Sequence, residues 1–354
     1  MTQIKDPFKE LGPHPWTLVS GRRRSNIFHA AGGFSDIIFI DKMSVKNHAT
    51  WLPAVLAALA ASLACAANAA EARGPVRVVT SIFPLYDFAR AVAGERAEVS
   101  LLLPPGADVH TWQPRPSDIV SLSRADLVIV IGSGLEPWAE TLLMSRRDFR
   151  ERVLEAGSGL TDPGHTHGDE HEIEHDHEAF DPHLWLDFQE AQLMVRRIRD
   201  ALAALAPSDA GFFAANARSA VENLRRLDEE YRKGLSRCRT RTIVLGGHAA
   251  FGRLAARYGL KQVSLYGLSP DAEPTARRLT EVVSLMRREG LSCVFYEENT
   301  SRKLAEVLAR ETGATLIGLD PGGNPKRSPS SGEFTFLGLM RRNLSALRRG
   351  LGCE

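Results

Sequence analysis

The chain has 354 residues, 44% of them apolar and 25% charged, with a formal net charge of +1. Those totals describe an ordinary globular protein and give two domains as the prior. The balanced charge gives no support for nucleic-acid binding, and no apolar run has the length of a mature transmembrane helix.

Leu52 to Ala64 (LPAVLAALAASLA) is apolar but spans only 13 residues. Met43 and Lys46 precede it, and the small-residue run from Cys65 to Ala70 follows. This is the pattern of a secretory signal peptide over 43–69, cleaved at Ala67-Asn68-Ala69. A lipoprotein signal ending at Cys65 is the weaker alternative, because Ser62 stands where a large aliphatic residue is expected. Residues 1–42 hold Pro13, Pro15 and Arg22-Arg23-Arg24 without a clear period, and translation is expected to start at Met43. Export places Cys238, Cys293 and Cys353 in an oxidising compartment, where one disulfide and one free thiol is the expected arrangement.

Beyond the leader, strand-like and helix-like stretches alternate. Val76 to Thr80 is β-rich, Pro84 to Ala93 helical, and Glu98 to Leu103 a short apolar run that stops at Pro104-Pro105-Gly106. Pro116 to Arg124 reads as helix, Leu127 to Ile131 as a buried strand, and Glu136 to Met144 as helix. The rhythm predicts a parallel sheet covered by helices. Asp187 has the position of an N-cap with Glu190 in capping-box register, opening a helix to about Leu205. Asp209 to Leu235 reads as a long helix with Leu224, Leu227 and Tyr231 on one stripe. Strands at 242–245, 262–265, 293–296 and 314–319 then alternate with helices at 249–258, 273–288, 301–312 and 334–349. The expected fold is α/β: two lobes, 70–206 and 237–354, each a parallel sheet covered by helices, joined by one long helix within 207–236.

Between the helices at 136–144 and 187–205 lies a segment of unusual composition. His165, His167, His171, His175 and His177 are interleaved with Asp169, Glu170, Glu172, Glu174 and Asp176. Imidazoles bind metals and carboxylates add oxygen donors, so 164–178 reads as a mobile metal-collecting loop. Of the 11 histidines, only His110, His183 and His248 belong to the globular body. Each lies at a strand or helix end beside Gly or Pro, and ligands of parallel sheets bind beyond the carboxyl ends of strands. Asp320, just past the strand at 314–319, completes a candidate set of three imidazoles and one carboxylate, which suits tetrahedral zinc.

The stretches PPGADVHTWQPRPSD (104–118), DPHLWLD (181–187), GGHAAFGRLAARYGL (246–260), EPTARRL, FYEE and LDPGG resemble the zinc- and manganese-binding substrate-binding proteins of ABC transporters, the ZnuA-type cluster. The blocks occur in order over residues 76–350. The resemblance implies two Rossmann-like lobes, a rigid connecting helix and metal in the cleft, held by His110, His183 and His248 with Asp320 matching a carboxylate that some members use. Val109 cannot ligate where some zinc members place glutamate, so the fourth position falls to Asp320, a water or a loop histidine, in that order. The resemblance also implies a disulfide between Cys293 and Cys353, leaving Cys238 free.

The expected function is capture of Zn2+ as transported ligand in the periplasm and delivery to an ABC permease with its ATPase, by a monomer that is neither an enzyme nor an integral membrane protein. The nitrogen-rich shell favours zinc over manganese, which a manganese-specific member of the family would reverse. A secreted zinc hydrolase is the first rival, with Glu297 or Glu298 as its general base. A surface adhesin or a metal chaperone is the second.

Overall fold

Short β-branched segments separated by helices leave parallel pairing as the outcome, because each strand must return to the same edge direction through a crossover. The computed structural model describes residues 74–143, 147–160, 180–268, 274–298, 301–324 and 334–354. The signal-peptide expectation at 43–69, the extension at 1–42 and the histidines of the 164–178 loop lie outside those residues.

The first sheet contains β1 (Val76–Thr80), β2 (Ala97–Leu101), β3 (Leu127–Val130) and β4 (Val153–Glu155) in the order β2-β1-β3-β4. The second contains β5 (Thr242–Leu245), β6 (Lys261–Ser264), β7 (Cys293–Glu297) and β8 (Thr315–Leu319) in the order β6-β5-β7-β8. The two orders are the same, and every pairing is parallel. Registers such as Val78 opposite Val99 and Leu127 set apolar side chains beside each other.

The period-two pleat sorts these strands into two faces. Val78, Ile129, Ile243, Leu245 and Phe295 join the large central core, whereas Val79, Val128, Val130, Val244 and Val294 turn to smaller clusters on the outer faces. The central core is completed by α1 (Phe83–Ala93), α5 (Phe188–Leu205), α6 (Ala210–Gly234) and α10 (Phe336–Leu351). Between α1 and α5 come α2 (Pro116–Arg124), α3 (Pro137–Leu142) and α4 (Arg147–Arg150). In the second half α7 (Gly252–Arg257), α8 (Ala276–Glu289) and α9 (Lys303–Thr312) alternate with the strands.

Asp187 caps α5 as its position predicts, its carboxylate accepting the Gln189 and Glu190 N–H groups. Helix α6 follows with 25 residues, about 38 Å at 1.5 Å per residue. Its buried stripe of Phe213, Ala217, Leu224, Leu227 and Tyr231 faces the central core. Tyr231 links the halves: its ring lies 5.0 Å from Phe188 and 5.3 Å from Tyr258, and its hydroxyl donates to the Met340 carbonyl at 2.6 Å. Nearby, Arg257 on α7 donates to both oxygens of Asp228 on α6 and pairs with Asp187 at 3.1 Å. Among the described residues no helix is long and apolar enough to cross a membrane.

The cysteines depart from the expected pairing. Cys238 and Cys353 are joined, and Cys293 is a buried free thiol. Past Gly352, which takes φ 65°, the chain end runs back beside residues 237–240. Arg239 N–H donates to Gly352, Thr240 to Leu351, and Glu354 to Arg237, so Cys353 faces Cys238 as an antiparallel bridge. Cys293 lies instead under the last turn of α10, where a Cβ at Gly350 would come within 2.7 Å of its sulfur. Burial pushes the Cys293 thiol up to about 12, which leaves it a poor nucleophile.

Candidate metal centre

Three imidazoles converge where the two lobes meet. His110 stands in the loop after β2, and His183 immediately precedes a short 3-10 turn, Leu184–Leu186. His248 follows β5 through Gly246-Gly247. Gly247 permits a close approach of chain to side chain, since a Cβ there would come within 2.3 Å of Glu297 Oε1.

Each histidine is anchored through an acid. Asp108 Oδ1 accepts His110 N–H at 2.8 Å and Asp181 Oδ1 accepts His183 N–H at 3.0 Å, the same Asp-x-His turn used twice. Glu297 Oε1, from the end of β7, accepts His248 N–H at 2.9 Å. Two of the acids also hold the rings. His183 Nδ1 lies 2.8 Å from Asp181 Oδ1, and His248 Nδ1 lies 2.6 Å from Glu297 Oε1. With Nδ1–H donated to a carboxylate, Nε2 of each neutral ring keeps its lone pair. Those two Nε2 atoms face each other at 3.2 Å. Two ligands at tetrahedral angles around zinc would stand about 3.3 Å apart, given Zn–N of about 2.0–2.1 Å.

His110 completes the group. Its ring centroid is 5.3 Å from that of His183 and 5.6 Å from that of His248, and ligand atoms of all three residues lie within 4.8 Å of one another. His183 and His248 are buried, while His110 is half-buried. Burial opposes protonation of His248, but the hydrogen bond to Glu297 and the charges of Glu297, Asp108 and Asp181 outweigh it and raise its pKa. Burial would likewise raise the Asp181 carboxyl; the His183 ring and backbone bonds, with the charge of Arg253, hold it below its ordinary value. The arrangement gathers neutral nitrogen donors inside a ring of negative charge, which suits a divalent cation with affinity for imidazole.

Asp320 stands outside the three-histidine group. It follows β8, the edge strand of the second sheet, whereas His248 follows the central strand β5. Its carboxylate accepts Gly322 N–H at 2.8 Å, and its backbone is held by Asn343. Burial is the main force pushing it up to about 6; the Gly322 bond opposes the rise, and Glu298 and Glu297 add to it. Glu297 bonds the His248 backbone and ring and so orients that imidazole. Glu298 is exposed. Asp108 and Asp181 emerge as orienting groups only in the structure, although the repeated Asp-x-His pattern carries that signal.

Residues 78–350 match the family described as "Zinc-uptake complex component A periplasmic". The chain is 35% identical over 294 residues to the zinc-binding lipoprotein AdcA of Streptococcus pneumoniae serotype 4, a match covering 81% of this chain and 58% of that protein. It therefore spans little more than half the length of that relative. It is 30% identical over 290 residues to the high-affinity zinc uptake system protein ZnuA of Bacillus subtilis, covering 80% of this chain and 90% of that one. Among solved structures, the Zn(II)-bound ZnuA-like domain of Streptococcus pneumoniae AdcA superposes with a TM-score of 0.65 at 33% identity, covering 78% of this chain and 99% of that domain.

Proposed function

We propose that this chain, which belongs to the periplasmic zinc-uptake component A family, captures Zn2+ between its lobes and delivers it to an ABC permease driven by a partner ATPase. The observation that carries the reading is the pair of Nε2 atoms at 3.2 Å, each bared by a carboxylate on its own Nδ1. Two acceptors so placed repel each other, and a shared cation turns that repulsion into coordination. The ligands in this reading are His110, His183 and His248, with Asp320 in the fourth position. A cation would relieve the buried Asp320 carboxylate, which burial pushes up to about 6. A water or one of His165, His167, His171, His175 and His177 is the competing fourth occupant.

The lobes at 70–206 and 237–354 then share one ion. Release requires His110 and His183 of the first lobe to part from His248 of the second. The acidic histidine loop raises the local zinc concentration and passes ions on to the three histidines. The protein works as a monomer in the periplasm after loss of 43–69. It is a binding protein and not a hydrolase: Glu297 bonds the backbone and ring of His248 and serves there to orient that imidazole. Nitrogen donors favour zinc over manganese, which prefers oxygen.

The test is a competition titration of metal-free protein with zinc and manganese, on the wild type and on a 165–177 deletion. Tight zinc binding near one ion per chain should survive the deletion, with any further ions lost. Loss of tight binding on deletion would move the site to the loop, and preference for manganese would overturn the donor argument.

A further inference from the structure

We propose that Arg253 is a positioning residue for the metal centre, acting from the second lobe on the segment that carries His183. Arg253 lies on α7, five residues after His248, and is only 1% exposed. Its Nε donates to the Asp181 carbonyl at 2.7 Å, and its Nη1 donates to Glu190 Oε1 at 2.8 Å. The guanidinium carbon stands 4.6 Å from the centre of the Phe180 ring. These partners come from one stretch of the first lobe, residues 180–190, so a single side chain spans the lobe boundary.

The grip is passed on through Asp181. The Asp181 carbonyl is held by Arg253, while its Oδ1 holds both the backbone and the ring of His183. The neighbouring Gly252 fits against the other carboxylate oxygen, where a Cβ would come within 2.7 Å of Asp181 Oδ2. Residues 248–253 thus supply one ligand and close over the residue that orients another. A guanidinium out of water is stabilising only when it is well paired, and an aliphatic chain of like volume would pack as well or better. The fork geometry of Arg253 serves alignment instead: it fixes Asp181 relative to α7, and so His183 Nε2 relative to His248 Nε2.

This inference rests on the zinc-capture reading, and its test is arranged so that each can fail alone. The variants are E190Q, R253K and the double variant R253M/E190Q, which removes both buried charges together. Three quantities are measured on each: zinc affinity by chelator competition, thermal unfolding of the metal-free protein, and hydrogen exchange of the Asp181, His183 and Leu184 amides in the metal-free protein. The double variant should fold, exchange faster at 181–184, and bind zinc about 10–100-fold more weakly, the usual cost of losing support behind a ligand. R253K, with one compact ammonium in place of the fork, should fall between. E190Q keeps the Asp181 clamp and should hold zinc affinity within about threefold. Wild-type affinity and exchange in the double variant, with lower unfolding temperature alone, would reduce Arg253 to a structural ion pair. Weak zinc binding by the wild type would overturn the zinc-capture reading, while faster exchange at 181–184 would still report the clamp.

Discussion

Glu136 lies just beyond β3 of the first sheet, and Glu297 ends β7, the strand in the same place of a sheet with the same order. Both carboxylates are buried. Glu136 Oε1 accepts the Ser81 hydroxyl at 2.5 Å and Ile131 N–H at 2.9 Å, and Oε2 accepts Gly132 N–H at 3.0 Å. Glu297 accepts the backbone and ring of His248. In the first lobe the acid ends in groups that go no further, and it fastens the strand ends. In the second it bears on an imidazole whose far nitrogen points at the cleft. A buried acid near the carboxyl end of the third strand thus serves as a staple in one sheet and as the support of an imidazole in the other, and the partner decides which.

The largest effects are expected at the histidines. H183A and H248A should each lose zinc affinity on the order of 10²–10³-fold, if four ligands share equally the ~10–16 kcal/mol of a structural zinc site. Calorimetric competition measures this, and wild-type affinity in either variant would remove the histidine from the site. In the first lobe the large effect is on stability. Desolvation raises Glu136 from 4.5 to about 7, with its hydrogen bonds opposing. A carboxyl raised on folding contributes most below its unfolded value and loses that contribution as pH rises through the folded one. Stability should therefore fall by about 3 kcal/mol between pH 4.5 and above pH 7 from this group. Denaturant unfolding of the wild type and E136Q across that window should show the slope flattened in the variant, and an unchanged slope would assign the titration elsewhere.

E297Q and E136Q then sharpen the contrast on one readout. E297Q should weaken zinc binding by about 10–100-fold, because Glu297 orients a ligand. E136Q should leave it unchanged. Equal losses would mean that both acids act only through the fold. The smallest effect is a displacement in pH. Binding requires neutral His248, whose pKa is raised by Glu297 and the neighbouring acids, so zinc affinity should decline on acidification from above pH 6.5. In E297Q that decline should shift to lower pH.

Much of this was readable because the physics is local. Alternating buried strands and amphipathic helices gave the α/β rhythm, and Asp187 was visible as a cap before α5. His110, His183 and His248 were singled out by their places at element ends, and the structure brings them together. Other features lie outside any local pattern. β4 has only three residues, too few to show a period. Cys353 pairs with Cys238 through the register of the last residues against 237–240, not through spacing. Arg253 reads as one more charge on an amphipathic helix until the opposite lobe is set beside it.

Zinc K-edge X-ray absorption on the protein loaded with one equivalent of zinc reads the coordinating atoms themselves. The account predicts three imidazole nitrogens at about 2.0–2.1 Å and one further oxygen or nitrogen, with one imidazole lost in each of H110A, H183A and H248A. A first shell dominated by oxygen, or an imidazole count unchanged in those variants, would contradict it.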